Sequence, residues 1–149
     1  MSDEARFSDG YVTITDGLRL HYRDYPGSAG RAPLLCLHGL TRNGRDFAEF
    51  AERYSPDRRV IALDFRGRGH SDHDPLPARY TPLVYAGDVL ELLDELAIER
   101  AVFVGTSLGG IVTMLVAAMA RVTRPPSEVP TKIAWAMPSW SSSSTTSPA

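Results

Sequence analysis

Gly105-Thr106-Ser107-Leu108-Gly109 fits the pattern G-x-S-x-G, with one apolar run directly before it (Ala101–Val104) and another directly after it (Leu108–Ala120). A serine forced into a tight turn between a strand and a helix is held in a strained backbone conformation, and its hydroxyl projects above the sheet as a nucleophile. Gly105 and Gly109 are needed if strand and helix approach too closely for a Cβ. A helix opening at Leu108 would bring free N–H groups and a positive dipole end to a developing oxyanion. The plainer alternative is a glycine-softened turn with Ser107 as helix N-cap. His38-Gly39-Leu40 closes a second apolar run, Leu34–Leu37. Its loop could place the Leu40 N–H beside that of Leu108, giving the two donors of an oxyanion hole. Otherwise it is a strand-ending turn with His38 packed as a loop histidine.

Other chemistry-bearing residues lead less far. In Asp64-Phe-Arg-Gly-Arg-Gly-His-Ser-Asp72, Gly67-x-Gly69 suggests a phosphate loop, but a third glycine and a following helix of the right length are missing. Asp72-His73-Asp74 suggests metal ligands, yet adjacent residues converge poorly on one ion and no partner histidine pair is evident, so no metal is expected. Asp64, Arg66 and the glycines are expected to shape this loop. Cys36 lies within an apolar run and reads as a buried small hydrophobe.

The elements that must position these groups follow from periodicity. Tyr11–Thr15 and Leu18–Asp24 alternate as strands around Asp16-Gly17, a two-residue hairpin turn in which both positions would take positive φ. In the second strand Leu18, Leu20 and Tyr22 share one face, and Arg19, His21 and Arg23 the other, so His21 is expected to face solvent. Leu34–Leu37, Arg59–Leu63 and Ala101–Val104 are continuous apolar runs, as buried parallel strands require. Helices are predicted over Asp46–Tyr54, from Thr81-Pro82 to about Ile98, and over Leu108–Ala120. In the second of these, Asp88, Glu91 and Glu95 are assigned to the wet face. A hairpin followed by βα units specifies an α/β fold whose sheet is mostly parallel.

The chain has 149 residues, 43% hydrophobic and 23% charged, with a formal net charge of −2. This fits one globular domain and argues against a strongly basic nucleic-acid or membrane-surface binder. One cysteine excludes an internal disulfide framework. The polar N-terminus lacks a signal-like apolar segment, and the run Leu108–Ala120 is too short to span a bilayer, so a cytoplasmic protein is expected. All 12 glycines lie at or before Gly110, while both tryptophans and the single lysine, Lys132, lie after Ala120. Residues 1–120 therefore read as folded, and 121–149 as a Ser/Thr/Pro-rich tail, disordered or unrelated to what precedes it.

His38-Gly39, the Asp64–Asp72 loop and Gly105-Thr106-Ser107-Leu108-Gly109-Gly110, in this order, resemble the N-terminal half of an α/β-hydrolase-fold enzyme, over about Asp9 to Ala120. The resemblance implies a serine nucleophile at Ser107, an oxyanion hole from the N–H groups of Leu40 and Leu108, a small-molecule substrate and no metal or organic cofactor. The serine resembles the esterase, lactonase and carbon–carbon hydrolase branches; the dehalogenase and epoxide-hydrolase branches carry aspartate at that position. The implied activity is hydrolysis of a small ester, lactone or related carbonyl compound through an acyl-enzyme.

The family's chain order is nucleophile, acid, histidine. After Ser107 this chain has no histidine or aspartate, and Glu128 is its one later carboxylate side chain. The resemblance therefore implies an incomplete site, with Ala101–Val104 left near a sheet edge and Thr131–Met137 as a candidate replacement strand. His70 and His73 lie in a loop expected on the same sheet edge, but the sequence supplies neither with an orienting acid. Losing the triad histidine costs on the order of 10⁶ in kcat. The alternative reading is accordingly a non-catalytic remnant or binding protein with the same fold.

Overall fold

A computed structural model describes residues 6–123. The opening hairpin pairs β1 (Ser8–Thr13) with β2 (Arg19–Tyr25), Val12 opposite Leu20. Its turn differs from the two-residue form expected. Gly17 N–H donates to the Ile14 carbonyl at 2.9 Å, Ile14 N–H donates to the Leu18 carbonyl at 3.0 Å, and of the two turn residues Gly17 alone takes a positive φ, 90°. Asp16 keeps an ordinary backbone and puts its carboxylate 2.9 Å from Arg66.

The apolar runs form β3 (Leu34–Leu37), β4 (Val60–Leu63) and β5 (Val102–Gly105), all mutually parallel, with β2 antiparallel against β4. The sheet order is β1-β2-β4-β3-β5, so β5 lies at the rim of the described sheet. Both faces of the central strands are covered. Leu35, Leu37, Ile61, Leu63 and Phe103 pack with α2 (Pro82–Glu95) and α3 (Leu108–Thr123), through Tyr85, Val89, Leu92, Val112 and Val116. Leu34, Cys36, Val60, Ala62 and Val104 pack on the other side, with Phe47 and with Ala51 of α1 (Ala48–Tyr54). Each fully buried aliphatic side chain here contributes roughly 1.5–3 kcal/mol. Cys36 belongs to this core, and burial pushes its thiol well above the usual range, which makes it a packing residue.

Helix boundaries shift in ways local chemistry explains. The segment at Asp46 begins as a 3₁₀ turn, Gly44–Phe47, capped by Asn43, and becomes α-helical at Ala48. Thr81 caps α2 by accepting from the Val84 N–H at 3.3 Å, with Pro82 in the first turn. The helix stops at Glu95, short of Ile98, because Ala97 turns left-handed at φ 53° and Ile98 N–H reaches back to the Leu93 carbonyl. Helix α3 extends past Ala120 to Thr123. The replacement strand considered at Thr131–Met137 lies outside the described residues. Among the described residues, no helix is long and apolar enough to cross a membrane.

Two expectations about exposure are corrected. His21 is buried, not solvent-facing, because the loop after β4 folds over the face of β2 that carries it: Asp64 and Ser71 both bond to it. Asp88 is buried too, not on a wet helical face, since it pairs with the buried Arg66.

Candidate active site

β5 ends at Gly105, two residues complete the turn, and α3 begins at Leu108. Ser107 sits at the apex with φ 49°, exposed to solvent. Left-handed backbone costs a residue bearing a Cβ roughly 1–2 kcal/mol. The flanking glycines make the turn sterically feasible. A Cβ on Gly105 would lie 2.5 Å from the Gly109 carbonyl carbon, and one on Gly109 would lie 2.0 Å from the Leu37 carbonyl oxygen. Helix α3 thus presses its first turn onto the end of β3. The Ser107 carbonyl accepts from the Gly110 N–H, and the Thr113 hydroxyl donates to the Gly109 carbonyl at 2.8 Å.

The end of β3 meets this turn directly: Thr106 N–H donates to the Leu37 carbonyl at 3.1 Å, and a Cβ on Gly39 would lie 3.8 Å from Ser107 Cβ. The backbone N–H groups of Leu40 and Leu108 donate no hydrogen bond among the described residues. They are two unspent donors at the meeting point of the two segments, the kind of pair that anion stabilisation uses.

His38 is fully buried and doubly committed. Its Nδ1–H donates to the Gly39 carbonyl at 2.7 Å, its Nε2 accepts from the Phe65 N–H at 3.0 Å, and its ring packs on Phe65. Burial pulls its pKa below the ordinary histidine value, outweighing the Gly39 carbonyl, which acts in the opposite sense. A neutral ring with both nitrogens bound holds the loop. It has no nitrogen left to act as base.

The loop after β4 is fastened around two charged centres. Asp64 accepts from the N–H groups of Gly44 (2.7 Å) and His70 (3.0 Å) and from His21 Nδ1 (2.7 Å). Burial pushes this carboxyl up, but those donors outweigh it and its pKa falls below the usual carboxylate range. The other ring nitrogen of His21 lies 2.6 Å from Asp9. Gly69 is obligatory here: its φ is 51°, and a Cβ would fall 2.2 Å from Asp64 Oδ2. Arg66 makes a two-pronged contact with Asp88 (2.8 and 2.6 Å) and reaches Asp74 (2.8 Å) and Asp16 (2.9 Å).

Ser107, Leu40, Leu108, His38, Gly39, Gly105 and Gly109 are therefore brought together at one sheet edge. His70 and His73 are exposed. His70 Nε2 faces Arg45 at 3.3 Å and its ring meets His21 edge-on, and among the described residues no hydrogen bond is made to the Ser107 hydroxyl. Among the described residues, no cluster of His, Cys, Asp and Glu is placed to hold a metal. Sequence reasoning missed the His21–Asp64 pair. A histidine opposite an acid-bearing, glycine-rich loop was the available signal, but two-residue alternation assigned it to solvent.

A sequence model of the alpha/beta hydrolase fold matches residues 32–137. The chain is 35% identical over 115 residues to the 3-hydroxybutyrate-oligomer hydrolase of Cupriavidus necator, covering 75% of this chain and 39% of that protein. It is 31% identical over 118 residues to epoxide hydrolase 4 of Mus musculus, covering 78% of this chain and 33% of that protein. The crystal structure of an alpha/beta hydrolase from Novosphingobium aromaticivorans superposes with a TM-score of 0.75 at 51% identity, over 77% of this chain and 40% of that one. The chain thus spans between 33% and 40% of the length of these relatives.

Proposed function

Since the chain belongs to the alpha/beta hydrolase fold family, we propose that it acts on a small ester, lactone or related carbonyl compound through Ser107. The Ser107 oxygen attacks the carbonyl carbon, and its proton passes to solvent. The oxyanion that forms accepts hydrogen bonds from the Leu40 and Leu108 N–H groups. Collapse breaks the bond to the leaving oxygen, which takes a proton from solvent and departs as the alcohol, and leaves an acyl-serine. Water then attacks the acyl carbon, releasing the acid and restoring the hydroxyl.

The observation that carries this reading is the backbone of Ser107. A left-handed serine, exposed between two glycines that admit no side chain, is kept at a steric cost with two unpaired N–H donors alongside. The serine also favours carbonyl chemistry over the epoxide opening named for the mouse relative. Opening an epoxide with a serine oxygen would leave an ether, which water does not cleave, whereas an acyl ester hydrolyses. The ester-type substrate in the name of the Cupriavidus relative fits the same chemistry.

One observation favours a second reading, a carbonyl-binding protein without turnover: among the described residues, no histidine hydrogen-bonds to Ser107. A serine site without its base keeps only about 10³–10⁴-fold acceleration over water. An activated fluorophosphonate separates the readings, because phosphonylation, with loss of fluoride, requires a Ser107 hydroxyl activated enough to attack phosphorus. The wild-type chain is expected to gain one phosphonyl group by intact-mass measurement, and Ser107→Ala none. An unmodified, well-folded wild type supports the second reading.

A further inference from the structure

Leu40 is 59% exposed, so its own side chain does little to anchor the loop that carries its N–H. Two other groups fix the backbone on either side of its Cα. Before it, the Gly39 carbonyl, in the same peptide unit as the Leu40 N–H, accepts from His38 Nδ1–H (2.7 Å) and the Arg42 N–H (3.2 Å). After it, the Leu40 carbonyl accepts from Arg68 Nε–H at 3.1 Å. Arg68 is itself braced, since its Nη1 donates to the Arg66 carbonyl (3.1 Å) and to the Tyr85 hydroxyl (2.9 Å). Its guanidinium also lies over the Tyr85 ring, 5.1 Å from the centroid. Tyr85 is buried in α2 and stacks on Phe65, the residue whose N–H binds His38. The two fastenings of the Leu40 loop thus share one rigid base.

We propose that Arg68 is a positioning residue for the hydrolytic site: it latches the Leu40–Thr41 peptide and so holds in place the loop whose Gly39–Leu40 peptide aims the N–H of Leu40 at the oxyanion. This rests on the reading of Leu40 as an oxyanion donor. Fixing only the Gly39–Leu40 peptide leaves rotation about the bonds of the Leu40 Cα. Fixing the following peptide as well removes that freedom. Reactions of this kind lose on the order of 100-fold when a participating group is misplaced by about 1 Å.

The test uses Arg68→Met, which keeps an unbranched apolar side chain but removes all donors, and Arg68→Lys, which restores an ammonium donor. Fluorophosphonate labelling of Ser107 is followed as kinact and KI, with thermal midpoint measured alongside. Arg68→Met is expected to lower kinact 10- to 100-fold with KI and midpoint little changed, and Arg68→Lys to recover part of the loss. Wild-type labelling by Arg68→Met overturns the proposal, as does a loss matched by a collapse in thermal midpoint. The amide nitrogen shift of Thr41 reads the hydrogen bond on the Leu40 carbonyl without any activity. If the wild type fails to label, the reading of Ser107 falls, and an unchanged Thr41 shift in Arg68→Met then overturns the latch as well.

Discussion

Ser107 is held in a backbone conformation that its side chain opposes, and the surroundings maintain it. Gly105 and Gly109 let β5 and α3 close to contact distance, and that closeness fixes φ at 49° between them. Glycine adopts this conformation without the Cβ penalty. Ser107→Gly is therefore expected to stabilise the fold by about 1 kcal/mol while abolishing phosphonylation, as urea unfolding and intact mass would show. A destabilised Ser107→Gly would mean that the apex carries no strain. At this scale the sequence was informative where geometry restricts residue type. G-x-S-x-G and His38-Gly39 admit few alternatives, so their positions were legible. His21 was not, because alternation along β2 reports which side chains are polar. It cannot report that Asp64 and Ser71 would fold over them.

The elements themselves were legible from apolar runs, since β3, β4 and β5 are buried on both faces and carry no polar interruption. Their ends were less so. The strand at Leu34–Leu37 matches the observed one, whereas α2 stops at Glu95 because Ala97 takes a left-handed C-terminal turn that glycine usually fills. Without glycine there, the periodic pattern ran on to Ile98. Ala97 is exposed, so Ala97→Gly is expected to relieve the strain and raise unfolding free energy by about 1 kcal/mol, with no effect on labelling of Ser107. Denaturant titration of the pair checks this. The hairpin shows the same limit: Asp16-Gly17 located the turn, but only Gly17 takes the positive φ expected of both positions.

Across the whole molecule, Arg66 ties together parts distant in sequence: Asp16 in the hairpin turn, Asp74 after the loop, and Asp88 on α2. All but Asp16 are buried, and Asp88 is held protonation-prone by burial, with Arg66 opposing that tendency. Removing the cation takes the partner from buried Asp88 and leaves Asp16 and Asp74 only the more distant Arg79, at 3.9 and 3.8 Å, so Arg66→Met is expected to cost about 3–5 kcal/mol and to loosen hairpin, loop and α2 together, measurable by hydrogen exchange. Charge patterning placed Asp88 in water because such long-range pairing leaves no local trace. The described sheet ends at β5, and the chain spans 40% of the length of the Novosphingobium relative. The chemistry proposed is confined to the rim where β3 and β5 end. A crystal structure of the fluorophosphonate-treated chain tests that most directly. The account predicts phosphorus bonded to Ser107 Oγ and its oxygen within about 2.7–3.1 Å of both the Leu40 and Leu108 nitrogens. A phosphonyl group on another residue, or one on Ser107 with its oxygen turned away from those two N–H groups, would contradict it.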